Sequence, residues 1–276
     1  MIGKNRVQLL HVMKNWIKKC GIPPSESVLI LGGSADDEET LRLLGFEDIT
    51  FSDFDSSVAR NQSIDPGDSG RLVLDMEDIA IADNKFDLIF VHEALHHCRS
   101  PHRALCEILR VSKRHVVFME PNDSLFVTGL IKFGFSFPFE IPAVVDNDFQ
   151  RGGVRDSQIP NFIYRWNAHE VEKVVSSFIP EWYFRVFAYP YWDFNADERE
   201  LALRTQTKIG KITALLGTQN FIRLLKITQI ILNANFIFRK QGNKFFCHIE
   251  VSDQLKPWLI AKNDQIEFQK SFASRT

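Results

Sequence analysis

A doubly wound α/β fold, with a mostly parallel sheet and helices on both faces, is what these 276 residues predict. Three observations carry the expectation. Apolar runs of strand length recur through the first 121 residues: SVLILGG (27–33), DITFSDFD (48–55), RLVLDMED (71–78), KFDLIFV (85–91) and RHVVFMEP (114–121). Helical periodicity fills gaps between them, in SADDEETLRLLGF (34–46) and from Arg103 to Val111. The candidate ligand contacts at Gly32 to Ser34, Asp53 to Asp55, Asp75 to Asp78 and His92 to His97 each lie past the carboxyl end of a run. Open α/β sheets gather their ligands there, in one crevice.

Taken in order, Val7, Leu10, Met13, Ile17 and Cys20 recur at helical spacing. Gly21, Pro23 and Pro24 then stop an N-terminal helix within residues 1–25. Residues 26–121 form the expected cofactor-binding core. Residues 122–166, rich in Phe, Pro and Gly and without a clear period, read as a substrate lid. Asn167 and Glu170 open a helix that runs to about Phe178, and Trp182 to Ala188 reads as a sixth strand. A basic helical insertion fills 190–242, with a break at Gly217. NKFFCHIEVS, within 243–260, supplies the seventh, closing strand. A single domain over 1–276 is expected, without internal repeats; the tail after Trp258 carries no legible signal.

A formal net charge of −2 and 45% hydrophobic content describe a globular chain that is not a general nucleic-acid binder. Cys20, Cys98, Cys106 and Cys247 lack C-x-x-C spacing and disulfide-scaffold density, which points to a reducing cytosol. No apolar span reaches bilayer length, and Lys14, Lys18 and Lys19 stand where a signal peptide needs an apolar core. The charge is uneven. Residues 31–84 hold fourteen acids against Arg42, Arg60 and Arg71. Between Leu201 and Ile249 there is no acid, while Arg204, Lys208, Lys211, Arg223, Lys226, Arg239, Lys240 and Lys244 supply eight positive charges among apolar residues at helical spacing. That stretch, 204–244, reads either as a solvated face over packed helices or as a contact for an anionic membrane surface.

Residues 85–111 admit two readings. His92, Glu93 and His96 spell H-E-x-x-H, which on a helix would hold zinc, with Glu93 activating water and His102 near a third-ligand position. Against this, an apolar strand runs into His92, Pro101 starts the next helix, and Arg99 stands where the three-histidine motif has Gly. The strand reading is the stronger, and no metal is expected. His96 and His97 then become candidate general bases near the acceptor.

Gly32 and Gly33 allow close backbone approach, and Asp53, about 20 residues on, is placed to accept hydrogen bonds from a ribose. A dinucleotide's pyrophosphate would meet Asp36, Asp37, Glu38 and Glu39, so the acidic field favours a nucleoside of cationic character, such as S-adenosylmethionine. VLILGG, ITFSDFD, LVLDMEDIAIADNKFDLIFVHEALHH, SPHRALCEILRV and VVFMEP together resemble the class I S-adenosylmethionine-dependent methyltransferases, over roughly residues 26–121. The resemblance implies a Rossmann-like, seven-stranded sheet. It also implies that Gly32, Gly33 and Ser34 lie against the cofactor's methionine and ribose, Asp53 with Phe54 at the ribose, Asp75 and Met76 at the adenine, and Val91 and His92 at the methionine end. The first motif departs from the family: Ile30 replaces its acid, and Ser34 and Asp36 replace its later glycines. The expected activity is methyl transfer to a small-molecule, sugar or lipid-linked acceptor, by a cytoplasmic protein able to touch a membrane surface. A catalytically silent binding protein and, behind it, the zinc hydrolase are the alternatives.

Overall fold

The computed structural model describes residues 4–53, 71–145, 147–194, 198, 201, 208–263 and 265–273; for 4–9, 11, 53, 71 and 273 it describes the backbone alone. Phe54 and Arg204 lie outside the described residues, as does the Asp53 side chain. Helix α1 (Lys4–Cys20) leads into strand β1 (Val28–Leu31), then α2 (Ala35–Leu43), β2 (Ile49–Asp53), β3 (Arg71–Val73) and β4 (Phe86–His92). A 3-10 turn (Leu95–His97) precedes α3 (Pro101–Val111) and β5 (Ser112–Pro121). Helices α4 (Leu125–Lys132), α5 (Ile141–Val145) and α6 (Ala168–Phe178) follow, then β6 (Trp182–Tyr191). Next come α7 (Lys208–Leu216), α8 (Thr218–Ala234), α9 (Phe236–Lys240) and β7 (Lys244–Leu255). A hairpin of β8 (Leu259–Lys262) and β9 (Gln265–Phe268) and a short α10 (Lys270–Ala273) end the described chain.

Seven strands form one sheet in the order β3-β2-β1-β4-β5-β7-β6. It is parallel except at β7, which runs antiparallel to both β5 and β6. Side chains alternate across the central strands. Leu29, Leu31, Ile89, Val91, Val116 and Phe118 pack on one face with α3 and α6, while Val28, Ile30, Leu88, Phe90, Val117 and Met119 pack on the other with Met13 and Leu41. Both faces are covered, which is why these strands read as apolar runs rather than alternating ones. The order reverses between β1 and β4, and the crevice at that reversal holds the site.

Three expectations need correction. The third strand is only three residues long, because Asp75 and Asp78 instead form a turn closed by an isolated bridge. The N-cap at Asn167 accepts from Glu170 N at 3.0 Å, but the Glu170 carboxylate does not return to the cap; it bonds Tyr164 and His102. The tail after Trp258, without legible signal in the sequence, holds the β8–β9 hairpin.

Candidate active site

β1 ends at Leu31, and Gly32 turns the chain in the left-handed region, φ 62°. A Cβ there would lie 2.7 Å from Ala94 Cβ, so only glycine lets the turn after β1 meet the turn after β4. Ser34 then starts α2, with Asp37 Oδ2 accepting from its N–H and Oγ, each at 2.7 Å. Asp37 is buried, and its Oδ1 lies 2.6 Å from His92 Nδ1. Burial alone would raise its pKa; the hydrogen bonds from His92 and Ser34 outweigh that and hold it below the usual carboxylate range. Asp37, one of the four acids at the start of α2, therefore ties that helix to the end of β4.

A cavity of about 210 Å³ opens at this junction. Gly32 comes to it from β1, Asp75, Met76 and Glu77 from beyond β3, and Glu93, Ala94, His97 and Cys98 from beyond β4. The fourth wall is Gly152, Arg155 and Asp156, from the long segment after β5, and Arg155 forms an ion pair with Asp75 across the cavity. Glu77 accepts from the N–H groups of Arg99 and Ser100 at 3.1 and 2.9 Å, which fixes the two loops against each other. Glu93, at φ 50°, pairs with Lys244, whose ammonium burial lowers to about 8. A larger hollow of about 530 Å³ lies at the opposite edge, around the starts of β5 and β6, away from the strand carboxyl ends.

Beside the cavity, His96 is buried between two carboxylates. Its Nδ1 lies 2.7 Å from Glu120, whose other oxygen accepts from Leu95 N at 2.8 Å, and its Nε2 lies 3.2 Å from Glu140. Burial would depress the imidazolium; Glu120 and Glu140 prevail and raise its pKa to about 10. His97 differs. Burial and the neighbouring His96 charge lower its pKa, leaving it neutral, with Nε2 3.4 Å from Glu140 and Nδ1 2.8 Å from the Asn161 amide. Among the described residues, His96, His97 and Glu140 bring ligand atoms within 4.8 Å of one another and could hold a metal ion. The same contacts are satisfied by a protonated His96. His92 belongs to neither arrangement: it ends a strand and His96 lies on a 3-10 turn, so H-E-x-x-H lacks the single helix that a zinc hydrolase needs.

Comparison with known families decides the class. A methyltransferase domain model matches residues 33–119. These 87 residues, under a third of the chain, are similar to methyltransferase domains. No curated protein matches the chain. Solved structures with a similar layout include a Thermotoga maritima S-adenosylmethionine-dependent methyltransferase described as a possible histamine N-methyltransferase (11% identity, 88% of this chain and 91% of that one, TM-score 0.43). Others are the magnesium protoporphyrin IX methyltransferase of Synechocystis with bound S-adenosylhomocysteine (15%, 68% and 78%, 0.43) and an Archaeoglobus fulgidus methyltransferase (15%, 88% and 94%, 0.44).

Within the methyltransferase domain, Gly32, Asp75, Met76 and His97 meet at the cavity. Gly33 packs under it, where a Cβ would lie 2.5 Å from Ile30 Cγ2. Val91 is fully buried in the core, and His92 is held by Asp37; neither lines the cavity. Asp53 ends β2 beside β1. The sequence reading did not single out Glu120, Glu140, Arg155 or Asn161. The available signal was Gly152-Gly153: Gly152 has φ 94°, and a Cβ on Gly153 would lie 1.9 Å from Ile159 O, so the pair marks a tight turn.

Proposed function

We propose that the cavity binds S-adenosylmethionine and that the protein transfers its methyl group to a small-molecule, glycan or lipid-linked acceptor entering beside His97 and Glu140. The carrying observation is the convergence of Gly32, Asp75, Met76 and Ala94 at the strand-order reversal of a methyltransferase domain. When bound, the cofactor supplies an electrophilic methyl group on a positively charged sulfur. The lining suits it: Gly32 leaves room for close backbone approach, Met76 and Ala94 offer apolar surface, and Asp75, Glu77, Glu93 and Asp156 outnumber Arg155. Asp75 and Met76 are assigned to the adenine, Asp53 with Phe54 to the ribose, and the turn from Gly32 to Ser34 to the methionine end, while Val91 and His92 support that end from behind the cavity wall.

Positioning and exclusion of water supply much of the rate in an in-line displacement, and the segment from Glu140 to Asn161 serves as the lid. His97 is the proposed base, since it lines the cavity and its imidazole is held neutral. His96, locked between Glu120 and Glu140, is a positioning residue.

Calorimetry with S-adenosylmethionine and S-adenosylhomocysteine tests the cofactor reading. Both are expected to bind, and Asp75→Asn to weaken binding about 10- to 100-fold. Absence of binding at millimolar ligand would overturn the proposal. Binding without turnover on any acceptor would favour the catalytically silent alternative.

A further inference from the structure

We propose that α4, α7, α8 and α9 form a docking face for an anionic lipid bilayer, which brings the mouth of the site to a membrane-anchored acceptor. The helices are only half used by the fold. α8 turns Phe221 and Ile222 onto Leu201 and Ile209, a small cluster separate from both sheet cores. Its Leu224, Ile227 and Ile231, spaced i, i+3, i+7, lie on the solvent side with Ile230, which is 70% exposed. α9 adds Phe236, Ile237 and Phe238, all exposed, and α7 adds Leu215 at 84%.

Hydrogen bonds join these helices to α4. Gln241, just after α9, accepts from Phe126 N and Ser124 Oγ, and Lys208 at the start of α7 donates to Phe133 O. α4 contributes Leu125, 86% exposed, with Phe126 and Phe133. These contacts place the exposed apolar residues of α4 beside the end of α9 and the start of α7. Scattered exposed apolar side chains need no explanation, whereas a set gathered in this way marks an interaction site.

Charge selects the occupant. Lys132, Lys208, Lys211, Arg223, Lys226 and Lys240 are exposed on the same helices, and the sequence has no acid between Leu201 and Ile249. Apolar side chains interleaved with these cations match the boundary between acyl chains and anionic headgroups. No described helix is long and apolar enough to cross a membrane, so the contact is peripheral. The chain runs from α4 through residues 133–139 to Glu140, which places the face next to the acceptor side of the cavity. The docking stands on the surface itself; the membrane-anchored acceptor rests additionally on the methyltransferase reading above.

Flotation of the full chain with phosphatidylcholine vesicles, with and without phosphatidylglycerol, tests the inference. Association is expected with the anionic vesicles at low salt, falling as salt screens the cations. Ile227→Glu with Ile231→Glu should reduce it at least about tenfold, and each of Lys211→Glu, Arg223→Glu and Lys226→Glu by about fivefold or more. All five positions are exposed, so thermal unfolding and S-adenosylmethionine calorimetry should remain at wild-type values, separating loss of docking from loss of the site. Wild-type protein that stays with no vesicle, variants that float undiminished, or a stable dimer that hides Ile227 and Ile231 would each overturn the proposal.

Discussion

Two buried histidines in this protein, His96 and His248, take opposite charge states. At the carboxyl edge, His96 is a cation because Glu120 and Glu140 lie within hydrogen-bonding distance of its two nitrogens. Inside the sheet, His115 on β5 and His248 on β7 face each other, Nδ1 to Nε2, at 3.1 Å. The nearest acid, Glu26, is 3.7 Å from His115, and burial with the Asp87 charge raises Glu26 to about 6. With no close carboxylate on its own ring, His248 is driven by burial and by His115 down to about 3; its ring stacks on Phe187. Depth did not set the ionisation; the neighbour did. The charged His96 belongs to the candidate site and the neutral His115–His248 pair to the packing.

The comparison can be broken most directly through activity. His97→Gln should lower kcat by about 100- to 10,000-fold and remove an ionisation from the pH–rate profile, whereas His115→Gln should leave both unchanged. Equal losses in the two variants would mean that the site histidine acts through stability alone. Second in size is the loss of a partner. Glu120→Ala strands a buried imidazolium and should cost about 3–5 kcal/mol of unfolding free energy in a urea titration, against about 1–2 kcal/mol for His248→Leu.

The smallest effect is in the pH dependence of the thermal midpoint. The folded pKa of His96, about 10, lies above its ordinary value of 6.5. Its contribution is therefore complete below about pH 6.5 and is lost as pH rises towards 10. His248 has the opposite sign: its folded pKa, about 3, lies below the same reference, so its contribution holds above about pH 6.5 and is lost as pH falls towards 3. His96→Gln should flatten the alkaline limb and His248→Gln the acid limb; a reversed pattern would show that the two charge states have been exchanged.

Most of the fold was legible because its signals are local. The run from Phe86 to Val91 became β4, Ser100 and Pro101 mark the start of α3, and Gly217 divides α7 from α8. The part of the cavity wall nearest the strands was legible for the same reason, since Gly32, Asp75 and Met76 lie within three residues of a strand's end. The lid was not. Glu140 meets His96 across 44 residues and Arg155 meets Asp75 across 80, from a stretch with no period to reveal which way its side chains face. The bond from Asp37 to His92 was hidden for a related reason: an acid in the first turn of a helix is favourable there whether or not it is buried.

The sequence by itself determined the strands, their carboxyl ends and thereby the location of the crevice, because strand length, helical period and glycine turns are written in neighbouring residues. Only the tertiary structure decided which histidine is charged, which is neutral and which wall Arg155 closes. Those properties depend on carboxylates brought within about 3 Å by packing, and electrostatic interaction follows distance in space rather than separation along the chain.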